Sequence, residues 1–293
     1  MRPRQWPILS VQLAVGVLCA PAVLRTIAGD GHLSWARLAT AWFAWIVCLN
    51  GGTLAYNSAY DRDTEDIAYL ASPPTPPPGT ARDALLLMIV GALAGLFVGP
   101  LFAGIVAVCA ALSVLYSHPA VRLKGVPGAD LAVNVVGYGA GTTLAGLAAG
   151  ACAAGVAPAP DTGAWLLVGG FGLLFGSFYP MTQIYQIESD LDRGDRTLAS
   201  TLGARNSLAF AALLGTGATA CMYGSFSAWG LPTAAPLVGG AGWTVFCLVW
   251  FRASDGMQSE AHGRWMYAGL AVWAAVDLAL LAGALARPFG LIV

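Results

Sequence analysis

The sequence predicts an all-α, polytopic membrane protein of nine transmembrane helices, and three observations predict it. Of the 293 residues, 57% are hydrophobic and only 10% charged, with a mean hydropathy of +0.69; a soluble domain carries about 25% charged residues. Apolar stretches long enough to cross about 30 Å of hydrocarbon recur along the chain. The basic residues then fall almost entirely into alternate loops, as the positive-inside rule requires of a correctly counted set of spans. A single water-soluble core would leave this much apolar surface uncovered, because even large domains keep a polar exterior.

The same composition excludes other classes. A formal net charge of −1 with no basic patch leaves nothing to neutralise a nucleic-acid backbone. Six cysteines, Cys19, Cys48, Cys109, Cys152, Cys221 and Cys247, are scattered without a CxxC pair. They suggest neither a zinc site nor a disulfide framework, and they read as small apolar residues within helices. The N-terminal Met-Arg-Pro-Arg-Gln-Trp resembles the start of a secretion signal, but the apolar run from Pro7 to about Ala28 exceeds a typical signal core. A retained first helix is expected.

The nine spans lie approximately at 7–28, 35–60, 82–101, 103–118, 127–150, 164–187, 206–227, 234–252 and 265–286, and together they make one integral membrane domain over 1–293. Turn chemistry separates them: Gly29-Asp30-Gly31, the proline tract Pro73 to Pro78, Gly99-Pro100, Pro158-Ala159-Pro160 and Gly230-Leu231-Pro232. With the N-terminus in the cytoplasm, Arg2, Arg4, Arg62, Arg82, Arg122, Lys124, Arg193, Arg196, Arg205, Arg252 and Arg264 lie inside, and only Arg25, Arg37 and Arg287 lie outside. Losing one span would invert every later loop, so the eleven-to-three split supports both the third and the fourth spans.

That topology also sorts the acids. Asp61, Asp63, Glu65 and Asp66 follow the second span, while Glu188, Asp190, Asp192 and Asp195 follow the sixth. Eight of the fifteen carboxylates therefore sit in two short segments on the cytoplasmic side, and the working face is expected there.

Within the first segment Asn50, Asn57, Asp61 and Glu65 are spaced seven, four and four, which puts them on one helical face. Asn and Asp facing lipid are costly, so this face should turn toward the bundle or a water-filled cavity. A helix that frays into a solvated acidic loop would explain the acids but not Asn50 and Asn57. In the second segment Gln183, Gln186 and Asp190 share a helix, with Gln186 and Asp190 an inward i, i+4 pair, whereas Glu188 and Asp192 fall on other faces. Oxygen ligands on two facing helices suit a hard cation that bridges phosphate groups. Mg²⁺ takes only one or two carboxylates and keeps waters or phosphate oxygens besides. Between the fourth and fifth spans runs Tyr116-Ser-His118-Pro119-Ala-Val-Arg122-Leu-Lys124. Arg122 can fork two phosphate oxygens and Lys124 adds a point charge; headgroup anchoring is the competing reading of both.

Read together, Asn57-xxx-Asp61-xxx-Glu65, Tyr-Ser-x-Pro-x-x-Arg-x-Lys from Tyr116, and Asp190-xxx-Gly194-x-x-Thr197 resemble the UbiA superfamily of intramembrane prenyltransferases over nearly the whole chain. The resemblance implies a nine-helix bundle with a central cavity open to the cytoplasmic side and laterally to lipid. It implies a polyprenyl diphosphate donor, a hydrophobic or aromatic acceptor, and Mg²⁺ held by Asn57, Asp61 and Glu65 in the first motif and by Gln186 and Asp190 in the second. Asn50, Asn57, Arg122, Lys124, Gln183 and Gln186 would bind the diphosphate, and Tyr116 would lie near the allylic carbon. Catalysis would rest on Asn57, Asp61, Asp190, Arg122, Lys124 and Tyr116, which stabilise a departing pyrophosphate and keep water from an allylic cation. Two positions depart from the common pattern: Glu65 and Gln186 stand where the family usually has Asp. An acceptor-free class I terpene cyclase of the same superfamily is the alternative, and an ion-coupled transporter is a further one. Transport predicts an internal repeat with a midplane site, whereas the acids here sit at one face.

Three polar residues in or near spans stay outside these motifs. Asp130 and Asn134, an i, i+4 pair early in the fifth span, suit either cavity lining or a cap and interhelical hydrogen bond. Asp277 lies in the middle of the ninth with no partner visible in the sequence. His118 stands beside Pro119, where a general base is one reading.

Overall fold

The computed structural model describes residues 5–29, 31–61, 74–192, 194 and 196–286. Glu65 lies outside them, with Asp63, Asp66 and Asp195 and the basic residues Arg2, Arg4, Arg62, Arg193 and Arg287. Helix is the sole regular structure among the described residues. Eight helices there are long and apolar enough to cross a membrane, and a ninth span exists if one sharply bent pair is a single crossing.

That pair is α1 (Trp6–Cys19) and α2 (Pro21–Ala28), bent by 69°. The uninterrupted helix expected over 7–28 is thus broken at Ala20, which takes an extended conformation (φ −61°, ψ 122°). Pro21 is the cause: it has no N–H for the helical ladder and disfavours helical geometry in the residue before it. Helix α3 (Trp35–Asp61) begins with Ser34 Oγ accepting from the Arg37 N–H and widens into π-type turns over Phe43–Asn50. Helices α4 (Thr80–Val98) and α5 (Pro100–Ser117) are separate, as expected, with the chain reversing at Gly99-Pro100. Helix α6 (Ala129–Ala153) again carries π-type turns, over Val135–Gly141.

Helix α7 (Thr162–Ile184) is capped by Asp161, whose Oδ1 accepts from Ala164 N. The expected continuation to residue 187 does not occur; the chain turns at Tyr185 and Gln186 and restarts as α8 (Ile187–Asp192). Helix α9 (Leu198–Ala228) starts eight residues before the expected 206, on a Thr197 cap, and contains one non-helical residue, Gly203 (φ 76°, ψ 163°). A side chain there would sit in the strained left-handed half of conformational space. Helices α10 (Ala234–Ala253) and α11 (Ser259–Ala286) complete the fold.

These elements form two compact units, Met1–Leu123 with Gly141–Ala159, and Lys124–Ala140 with Pro160–Val293. In the first, small residues let helices approach closely, as is usual where lipid removes the hydrophobic drive between helices. A Cβ at Gly146 of α6 would stand 2.4 Å from the Leu13 carbonyl oxygen of α1, and one at Gly91 of α4 would stand 2.7 Å from the Cys48 side chain of α3. Arg37 at the start of α3 donates to the Cys152 carbonyl (2.5 Å) near the end of α6. The cation thereby meets a carbonyl that the helix end leaves unsatisfied.

In the second unit α7 is the central post, 72% of its most apolar window being buried. Ser177 Oγ donates to the Ala211 carbonyl of α9 at 2.6 Å and accepts from Trp243 Nε1 of α10 at 2.7 Å, so one hydroxyl joins three helices. Phe178, Trp243 and Trp273 meet edge to face around it. Asp277, fully buried in α11, lies one turn beyond Trp273 in this apolar surround.

Candidate functional site

In the first unit the candidate residues lie at the C-terminal end of α3 and in the loop after α5. The stretch Gly51–Asp61 is regular α-helix, so the four-residue spacing of Asn57 and Asp61 sets both on one face. Both are half-buried. Asn57 Oδ1 accepts a hydrogen bond from Ser117 Oγ at 3.0 Å, and Ser117, the last residue of α5, is only 2% exposed. The hydroxyl thereby fixes the orientation of the amide. Asn50 is buried on the same helix, but roughly 10 Å farther in than Asn57 at 1.5 Å per residue. It shares the face without sharing the level of Asp61.

Tyr60 makes an edge contact with Tyr56 (centroids 5.0 Å apart) and another with His118 (5.6 Å). His118 closes its own turn: Nδ1 accepts from Ala120 N, and the carbonyl accepts from Val121 N and Arg122 N. That engagement of Nδ1 speaks against the base reading through that nitrogen. The turn delivers Arg122 with a φ of 48°, the one non-glycine with positive φ among the described residues. Strain of this kind is held where the surrounding structure imposes it, and it clusters at working sites. Arg122 is exposed, and Tyr116, the penultimate residue of α5, is half-buried.

In the second unit the candidate residues are Lys124, half-buried in a short 3₁₀ turn (Leu123–Gly125), and those around α8. The break at Tyr185 and Gln186 corrects the expectation that Gln183, Gln186 and Asp190 share one helix. Gln186 sits in the turn; its carbonyl accepts from Asp190 N at 2.8 Å and its Nε2 donates to the Tyr185 hydroxyl at 3.1 Å. Ser259 at the start of α11 donates to the Tyr185 carbonyl, so the break is held from outside. Pro180 lies one turn before it and weakens the helical ladder there. Asp190 is 6% exposed and its Oδ2 accepts from Thr197 Oγ1 at 3.4 Å. Glu188 and Asp192 are exposed, in keeping with the other faces expected for them.

Gln183, expected at the diphosphate, is hydrogen-bonded within the second unit. Its Nε2 donates to Asp130 Oδ2 at 2.9 Å and its Oε1 accepts from Ala199 N at 3.3 Å, so both ends of the amide are engaged within the protein. Asp130, set aside at the level of sequence, is the centre of this arrangement. It is 0% exposed; Oδ1 accepts from Gly128 N at 2.8 Å, and Oδ2 also accepts from Leu198 N at 3.3 Å. Asn134 Nδ2 donates to its carbonyl. Of the two readings open for this pair, the cap and interhelical hydrogen bond is the one present. The signal available in the sequence was the pair itself, but nothing local shows that its partners lie at Gln183 and Leu198.

The donors near these two ends are oxygens: carboxylates of Asp61 and Asp190, amides of Asn57 and Gln186. No three His, Cys, Asp or Glu side chains converge on a metal-binding cluster among the described residues. Oxygen donors with few carboxylates, as each unit carries, are of the kind that suits Mg²⁺, which completes its shell with water and phosphate oxygens, rather than zinc or another soft metal.

The class is a polytopic helical membrane protein that carries carboxylates and amides at the end of α3 in one unit and at α7–α8 in the other. The chain belongs to the UbiA prenyltransferase family, whose family model matches residues 17–268. Its fold is similar to a structure described as digeranylgeranylglyceryl phosphate synthase in membranes (TM-score 0.65, 14% identity, covering 97% of this chain and 98% of the other). It is also similar to the apo form of a UbiA homolog from Aeropyrum pernix K1 (0.63, 17%, 96% and 98%). A UbiA homolog from Archaeoglobus fulgidus bound to GPP and Mg²⁺ is similar as well (0.57, 14%, 94% and 99%). No curated relative matches the chain.

Proposed function

We propose that this protein is a Mg²⁺-dependent prenyltransferase that ionises a polyprenyl diphosphate and passes the prenyl group to a hydrophobic or aromatic acceptor. The C1–O bond of the donor breaks with both electrons leaving on the diphosphate, and the acceptor nucleophile forms the new bond to C1 and loses its proton. Asn57 and Asp61 of the first unit and Gln186 and Asp190 of the second serve this step as oxygen ligands. Glu65 is assigned with them from the motif. Arg122 and Lys124 stabilise charge on the leaving pyrophosphate, and Tyr116 flanks the reacting carbon. Mg²⁺, when bound, supplies Lewis-acid stabilisation of the leaving group. Residues 1–293 act as one catalytic domain with its working face toward the cytoplasm.

The observation that carries this reading is Asp190: a carboxylate kept 6% exposed at the end of a broken membrane helix, where its Oδ2 accepts from the Thr197 hydroxyl. A carboxylate built in at this cost suits a cation-binding role. Family membership and the oxygen-only donor set support the same reading.

The test is pyrophosphate release by the purified protein in nanodiscs, with and without Mg²⁺. Dimethylallyl and geranyl diphosphates, named for the Archaeoglobus homologue, come first, then farnesyl and geranylgeranyl diphosphates. Mg²⁺-dependent release that requires an added aromatic or lipid acceptor is the expected result. Release with a cyclic hydrocarbon or terpenol and no acceptor would replace transfer by cyclisation. No release from any donor would overturn the reading and favour transport.

A further inference from the structure

We infer that Asp130 is a positioning residue for the second acid motif, acting on Asp190 through the N-terminus of α9; the inference rests on the proposed Mg²⁺–diphosphate chemistry. The first N–H groups of a helix have no partner within it, and here three in succession are supplied from different places. Leu198 N donates to Asp130 Oδ2, Ala199 N to Gln183 Oε1, and Ser200 N to Thr197 Oγ1. Gln183 is itself oriented by Asp130, through Nε2. Asp130 therefore fixes the start of α9 twice, once directly and once through Gln183.

The consequence reaches Asp190 through one residue. Thr197, which precedes Leu198, donates its hydroxyl to Asp190 Oδ2 while accepting from Ser200 N. Asp130 sets where Leu198 lies, Leu198 sets where Thr197 lies, and Thr197 holds the carboxylate. All four residues belong to the second unit. Asp130 lies 68 residues from Leu198 in sequence and is wholly buried, so it can touch neither metal nor diphosphate and works only through this chain of contacts. Conversely, the three N–H groups are satisfied internally, so the N-terminus of α9 is a device for holding Asp190 rather than an anion site.

Three variants test the inference in the full-length protein. Asp130→Asn keeps the shape but offers only one oxygen to three donors. Leu198→Pro deletes a single donor and leaves Asp130 intact. Proline is tolerated at a first helical position, and Thr197 already has the extended backbone that a following proline demands (φ −86°, ψ 168°). Asp161→Asn is the control, an exposed helix cap of the same side-chain chemistry at the far end of α7, where Asp161 accepts from Ala164 N and Trp229 Nε1.

Two quantities are read: the Mg²⁺ concentration giving half-maximal pyrophosphate release, and the rise in melting temperature caused by Mg²⁺ with inorganic pyrophosphate. Asp130→Asn should raise the Mg²⁺ midpoint by about tenfold, the usual cost of losing a residue that orients a ligand, and should shrink the Mg²⁺–pyrophosphate melting shift. Leu198→Pro should move both quantities in the same direction and by less. Asp161→Asn should lower the melting temperature and leave the Mg²⁺ midpoint in place. A wild-type Mg²⁺ midpoint in both Asp130→Asn and Leu198→Pro, with only melting affected, would reduce Asp130 to a structural cap and overturn the inference while the catalytic reading stood. Mg²⁺-independent behaviour of the unmodified protein would instead remove the catalytic reading, and the inference with it.

Discussion

The residues proposed for the site differ in how their surroundings hold them, and this separates their expected mutational behaviour. Asp61 and Asp190 are ligand candidates whose replacement by Asn preserves size and most contacts. Each variant should lose turnover by about a hundredfold or more while melting within a few degrees of the parent, as read by pyrophosphate release and by thermal unfolding in detergent. Near-parental turnover in either would remove that residue from the metal–diphosphate set. Arg122 should behave differently. Its φ of 48° is relieved by glycine, and relief of such strain is worth roughly 1 kcal/mol. Arg122→Gly is therefore expected to melt no lower than the parent while the KM for the donor rises and turnover falls. An unchanged KM would return Arg122 to headgroup anchoring. At this scale the shared helical face of Asn57 and Asp61 was legible in the sequence, because helical periodicity is local. It concealed the pairing of Asp130 with Gln183 and of Gln183 with Ala199, because these partners are 53 and 16 residues apart in the chain and no local pattern encodes such pairings.

Elements were legible wherever hydrophobicity was continuous and obscure wherever one residue interrupts a helix. The Gly99-Pro100 reversal could be read directly, but the 69° bend at Pro21, the turn at Tyr185 and Gln186 and the irregular Gly203 all lie inside apolar or helix-favouring stretches. Hydropathy averages over such breaks, and two of the three bear on the second acid motif or the helix that caps it. Close helix approach was likewise only half visible, since a glycine in a span permits either tight packing or open space. The structure distinguishes the cases. At Gly146 an added Cβ meets the Leu13 carbonyl at 2.4 Å and the Gly16 Cα at 2.9 Å, whereas at Gly104 of α5 it meets nothing within 4 Å. Gly146→Ala must therefore push α1 and α6 apart and should destabilise by about 1–3 kcal/mol. Gly104→Ala should be neutral or stabilising by up to about 1 kcal/mol, because helical glycine costs backbone entropy. Equal melting of the two variants would show that the α1–α6 contact does not limit stability.

At the scale of the whole molecule, the charge count made the number of spans and their direction into one linked statement: eleven basic residues on one side require the expected sequence of crossings. The structure adds antiparallel detail within the first unit, where Arg37 at the start of α3 reaches Cys152 near the end of α6; these two ends must lie on the same side of the bilayer. What the count leaves for experiment is the absolute side, and two exposed loop positions decide it. Ala120 lies in the loop after α5 and Val156 in the loop after α6, 48% exposed. The native cysteines are buried, apart from a half-buried Cys221, so background labelling is low and is measured on the parent. In intact cells a membrane-impermeant maleimide should label Val156→Cys and spare Ala120→Cys, and in inverted vesicles the pattern should reverse. Labelling of Ala120→Cys from outside would turn the protein over and place Arg122 and the end of α3 away from the cytoplasm. Labelling of both from one side would mean that α6 does not cross, which the α3–α6 contact forbids unless α3 also fails to cross. The first pattern requires that the donor diphosphate be drawn from the cytoplasmic leaflet, because a pyrophosphate group has no inexpensive route through hydrocarbon.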